Sequence, residues 1–136
     1  MALTTEDRLA ISDVIALHGH LCDAGELDRL DELFTDDVVY DVTDFGAEPL
    51  RGVEAVRAAA LALGDANPVG HHVTNIVVSE GDDGQVRALS KGIGIRADGT
   101  AGSVTYEDVL VSTAHGWRIS HRTITARRRP LGARPE

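Results

Sequence analysis

Apolar residues in this chain recur mainly at every third or fourth position before Leu63 and alternate after His71. That switch restricts the architectures open to it. Thr4 or Thr5, followed by Glu6 and Asp7, supplies a capping oxygen and acids for a helix start. Ile11, Val14, Ile15, His18, Leu21 and Cys22 then recur on one stripe. Gly25 ends this helix, and Leu27, Leu30, Leu33 and Phe34 predict a second, short one. The β-branched and aromatic run Val38-Val39-Tyr40-Asp41-Val42 predicts a strand. Asp44 to Pro49 reads as a loop, and Gly52 to Leu63 as a third helix. Four extended segments follow, near His71–Ser79, Gln85–Arg96, Ser103–Thr113 and Trp117–Arg127, separated by turn residues. Helices first and hairpin-linked strands afterwards give an α+β domain with a mostly antiparallel, curved sheet, not an alternating parallel α/β fold.

A chain of 136 residues is expected to form one core, over residues 1–127, with a basic, flexible tail at 128–136. The net charge of −9 includes Arg127, Arg128, Arg129 and Arg134, so the body is still more acidic and a poor match for nucleic acid. No apolar run approaches the roughly 20 residues of a membrane span. Residues 1–25 lack the order of a secretory signal, so a cytoplasmic location is expected. The lone Cys22 allows no internal disulfide and no thiolate cluster.

The residues able to move protons are His18, His20, Asp23, Tyr40, Asp41, His71, His72, Asn75, Tyr106, Asp108 and His121. Histidine titrates near neutral pH, and a carboxylate on its second nitrogen fixes its tautomer and raises its basicity. A His–Asp pair is therefore the economical solution. The strand period puts His71, Val73, Asn75 and Val77 on one face and His72, Thr74, Ile76 and Val78 on the other, unless a bulge exchanges them. His18 reads equally as a core histidine. Asp23, offset from it by roughly 140° on a helix, reads also as the cap of the next helix. Tyr40 and Tyr106 fit half-buried strand positions with a polar tip. No histidine pair has metal-ligand spacing, and the glycine motifs of nucleotide sites and the serine elbow are missing. No metal or organic cofactor is expected.

Several segments together resemble the SnoaL-like branch of the nuclear transport factor 2-like superfamily, whose relatives include scytalone dehydratase, ketosteroid isomerase and polyketide cyclases. They are Asp23-Ala24-Gly25-Glu26-Leu27-Asp28-Arg29-Leu30, Leu33 to Tyr40, Arg51-Gly52, His71-His72-Val73-Thr74-Asn75, Tyr106-Glu107-Asp108 and Gly116-Trp117-Arg118-Ile119. The resemblance implies a cone-shaped α+β barrel whose open end holds an apolar ligand. Asp23 matches a dehydratase-like acid and His71 the histidine four residues before an asparagine. A tyrosine commonly stands in related sequences where His18 stands here.

Two functions follow as expectations. In one, His71, oriented by Asp23, removes a proton beside a carbonyl while Tyr40, His18 or Asn75 stabilises the enolate oxygen. Dehydration, isomerisation or cyclisation of a small hydrophobic substrate then becomes possible, with epoxide hydrolysis a less favoured variant. His72, Tyr106, Asp108 and His121 are expected to help bind that substrate. In the other, the cone is a non-catalytic ligand-binding or subunit-assembly module. A homodimer or homotrimer is expected in either case.

Overall fold

The computed structural model describes residues 2–133. Helix α1 spans Thr5–Asp23 and opens on a reciprocal cap: the Asp7 amide donates to Thr4 Oγ1 and the Thr4 amide to Asp7 Oδ2, each at 3.0 Å. Trp117 Nε1 donates to Asp7 Oδ1 at 3.2 Å and ties this helix start to the far end of the sequence.

The second expected helix is instead a 3-10 turn, Leu27–Glu32, and Leu33 and Phe34 have left it. Six residues give an α-helix too few internal hydrogen bonds to offset nucleation. Arg29 pairs with both Glu26 and Glu32, three residues to either side, the spacing that a 3-10 turn aligns. Phe34 opens strand β1 (Phe34–Asp41). The expected loop holds a 3-10 turn at Thr43–Phe45 and is followed by the short strand β2 (Leu50–Arg51) and helix α2 (Val53–Leu63).

Strands β3 (Gly70–Glu80), β4 (Val86–Ile95), β5 (Ala101–Thr113) and β6 (Gly116–Ala126) form the expected meander. The six-stranded sheet has the order β2-β1-β6-β5-β4-β3, and only β1 with β6 is parallel. It is curved, and the helices pack on one face of it. Between them lie Ile11, Ile15, Leu21, Leu33, Phe34, Val38, Leu110 and Ile119, all fully or nearly fully buried. Burial of each such side chain contributes about 1.5–3 kcal/mol.

Cross-strand pairing fixes which residues share the inner face. Tyr40 lies beside Arg122, Arg122 beside Asp108, and Asp108 beside Ala88. Two bulges interrupt the alternation. In β3, Asn75 and Ile76 together oppose Ser90, and in β6, Ser120 is an extra residue between Ile119 and His121. Beyond Ala126, Arg128 donates to Asp44 Oδ2 at 3.1 Å and lies over the Phe45 ring, 5.8 Å from its centroid. Of the expected tail, Arg134 lies outside the described residues.

Candidate functional site

Gly19 decides how closely α1 approaches β3. A Cβ there would overlap the carbonyl oxygen of His71, so only glycine lets the two backbones meet. Four residues on, the last residue of the helix, Asp23, is brought onto His71. The His71 amide donates to both Asp23 oxygens at 3.0 Å, and His71 Nδ1 lies 2.7 Å from Asp23 Oδ1. With Nδ1–H donating to the carboxylate, Nε2 keeps its lone pair. Both side chains are partly exposed, at 20% and 31%.

Deeper in, the groups follow one another as ring contacts. His18 meets His71 edge-on at 5.8 Å and Tyr106 at 5.9 Å between centroids. Burial first, then the neighbouring Arg122 and His71, hold His18 well below its ordinary pKa, so its imidazole is neutral at pH 7. Burial likewise pushes the Tyr40 and Tyr106 hydroxyls up, keeping both as phenols. Tyr40 joins through Phe34, whose ring is 5.7 Å away. Cys22, beside Asp23, is a thiol, pushed up to about 11 by burial and then by that carboxylate.

Arg122, which the sequence did not single out, is fully buried at the floor of this group. Its Nε and Nη2 donate to the two Asp108 oxygens at 2.7 and 2.9 Å, and its guanidinium lies 4.3 Å from the centre of the Tyr106 ring. Burial disfavours the cation, but the Asp108 carboxylate outweighs it and the pKa is raised. The partial signal in the sequence was register: Asp108 lies five residues before Thr113 and Arg122 six after Gly116, and the bulged Ser120 makes up the difference that brings them opposite each other.

The structure brings together Asp23, His71, His18, Tyr40 and Tyr106 and separates the other candidates. Asn75 is removed by the bulge that the glycine-like φ of 57° at this residue creates, and it is exposed while Ile76 takes the inward position. His72 is exposed on the opposite face from His71. His121 pairs with Val109 and Val39, on the outer face, because the extra residue Ser120 shifts the alternation. Asp108 is on the inner face, but both its oxygens are taken by Arg122, so it is a partner for that cation and not for a ligand. Among the described residues no three His, Cys, Asp or Glu side chains converge as metal ligands, and no helix is long and apolar enough to cross a membrane. Two surface clefts, of about 240 and 230 Å³, lie away from the His71–Asp23 pair, against Arg127–Gly132 and beside Trp117.

A family model described as a SnoaL-like domain matches residues 3–123. No curated protein is significantly similar in sequence. Among solved structures, a protein from Novosphingobium aromaticivorans provisionally called an aromatic ring hydroxylase is 29% identical, with a TM-score of 0.74 and 94% of each chain covered. An NTF2-like protein with a cystatin-like fold from the same organism is 27% identical at a TM-score of 0.74, covering 94% of this chain and 86% of the other. A Catenulispora acidiphila protein in complex with S-DNPA is 25% identical at a TM-score of 0.72, covering 90% and 95%.

Proposed function

Because this chain belongs to the SnoaL-like domain family, we propose that it is an acid–base enzyme, a dehydratase, isomerase or cyclase, that acts on a small hydrophobic carbonyl compound without a cofactor. The observation that carries this reading is the 2.7 Å contact between His71 Nδ1 and Asp23. It leaves Nε2 as the base, and the His71 backbone N–H, donating to both Asp23 oxygens, holds that carboxylate in line before substrate arrives.

In the reaction His71 Nε2 takes a proton from carbon next to a carbonyl, and the C–H electron pair moves into the carbonyl, leaving charge on its oxygen. The proton is returned elsewhere on the substrate, for isomerisation, or to a departing hydroxyl, for dehydration. Neutral His18 and the phenols of Tyr40 and Tyr106 are donors along the path. Such a group contributes about 10²–10⁴-fold as general acid or base. The likeness to a structure holding S-DNPA supports ligand binding by this fold.

The test is exchange of substrate protons into deuterated water, followed by NMR over a panel of aromatic and conjugated ketones. Wild type is expected to catalyse exchange with at least one of them, His71→Ala to lose it by about 10²-fold or more, and Asp23→Asn to lose much of it. Full exchange by His71→Ala rejects the base.

A second reading, a subunit-assembly module, is favoured by Val77, Leu89 and Ile93, which are 60%, 49% and 41% exposed. Val77 and Leu89 are cross-strand neighbours on the outer face. Sedimentation of Leu89→Lys against wild type tests association through that face into the expected dimer or trimer.

A further inference from the structure

Among the described residues the polar or charged side chains that are buried are His18, Ser90, Asp108 and Arg122. Three of the four keep an atom without a hydrogen-bond partner: His18 Nδ1, Ser90 Oγ and Arg122 Nη1. All three residues adjoin Tyr106. Ser90 is its cross-strand partner, Arg122 lies over its ring at 4.3 Å, and His18 meets its edge at 5.9 Å. An unpaired buried polar group is costly, and three around one ring single out this spot in a core otherwise built of apolar residues.

The chemistry of the three atoms defines what they await. Arg122 only donates, and its Nε and Nη2 are already used by Asp108, so Nη1 is its free donor. Ser90 and neutral His18 are able to donate as well. A group that only accepts, an oxygen bearing negative charge, satisfies them together. Asp108 offsets the guanidinium charge, which suits an oxygen that gains its charge during reaction better than a permanent multiply charged anion. Exposure falls from the His71 side chain at 20% to His18 at 5% and Arg122 at 0%, which puts His71 nearest the surface and Arg122 deepest in this group.

We propose that Arg122 is the oxyanion donor of this site, its Nη1 receiving the substrate oxygen that becomes negative when a proton leaves to His71. The proposal rests on the acid–base reading above and narrows its substrate. Because the His18 and Tyr106 rings stand between base and donor, the proton narrows to one on the γ-carbon of an α,β-unsaturated ketone, joined to the carbonyl through the C=C unit rather than directly, so that acidic carbon and oxygen sit at opposite ends of a conjugated unit. The electron pair released at His71 travels through that unit to the oxygen, and no oxidant or co-reactant is required.

A phenolate imitates such an enolate, and 4-nitrophenol reports its own ionisation by colour. Intact wild-type protein is expected to bind it as the anion, at a pH below the pKa of the free phenol. His71→Ala should keep this binding. The double variant Arg122→Met/Asp108→Leu, which removes the cation without stranding its carboxylate, should bind at least tenfold more weakly and without the colour change. A crystal of the wild-type complex should put the phenolate oxygen within about 3.5 Å of Nη1. Absence of binding, binding of the neutral phenol, or equal binding by a folded double variant overturns the proposal. Should the double variant fail to fold, the crystal decides: an oxygen away from Nη1 overturns it. Loss of the base reading is distinct, since it appears as proton exchange retained in His71→Ala with phenolate binding intact.

Discussion

Gly19 rests against the carbonyl oxygen of His71 with no space for a side chain between helix and strand. The Asp23–His71 contact depends on that approach, one helical turn further on. Gly19→Ala gains about 1 kcal/mol of helix propensity. It nevertheless should lose stability by about 1–3 kcal/mol from overpacking, and His71 should be displaced from Asp23. Thermal unfolding and the exchange assay, run on the same variant, check both; a variant more stable than wild type would mean that α1 shifts freely.

His18 gives the protein a pH dependence of known sign. Its folded pKa lies far below the ordinary 6.5, so between those values the unfolded chain binds a proton that the folded one refuses. Stability from the neutral, buried ring is complete above 6.5 and falls as pH drops below it, by up to about 1.4 kcal/mol per unit. Denaturant titrations from pH 7 to 5 should show the loss, and His18→Phe should flatten it in that window, above the range where carboxylates titrate.

The Asp108–Arg122 pair is buried at both ends. Removing one partner, as in Asp108→Leu alone, should cost about 3–5 kcal/mol because a cation is left uncompensated. Replacing both with apolar residues should cost much less. Urea midpoints of Asp108→Leu, Arg122→Met and the double variant close the cycle that measures the coupling, and a double-variant loss equal to the sum of the two single losses would contradict it.

Cys22 is held as a thiol, its pKa pushed up to about 11. Only thiolate reacts with iodoacetamide, so at pH 8 the folded protein should alkylate far more slowly than the same chain in urea. Rapid labelling of folded protein, followed by mass spectrometry, would show α1 opening at its end.

The period switch near Leu63 made the fold class and the four long strands legible, because alternation and turn residues agree over β3 to β6. The boundary errors fell where one run served two elements: Leu33 and Phe34 fit the helical spacing of Leu27 and Leu30 yet begin β1. Asp23 and His71 were legible as a pair, although the rest of the site was less so. Alternation carried Asn75 to the same face as His71, but a single bulged residue reverses a strand, and Asn is among the few residues that accept a positive φ. Ser120 reversed His121 in the same way. Arg122 stayed hidden because a lone arginine in a strand carries no local sign that it points inward; only its cross-strand neighbour Asp108 reveals it.

The parallel pairing of β1 with β6 has a consequence for biogenesis. β6 sits in the middle of the sheet, so the unit β2-β1 has no neighbour until residues 116–126 arrive. A chain growing on the ribosome will have made α1, β1 and the β3–β5 meander before the strand that joins them exists. Until Ala126 clears the exit tunnel, the free edges of β1 and β5 are templates for wrong partners, and contacts of such high sequence separation close late and slowly.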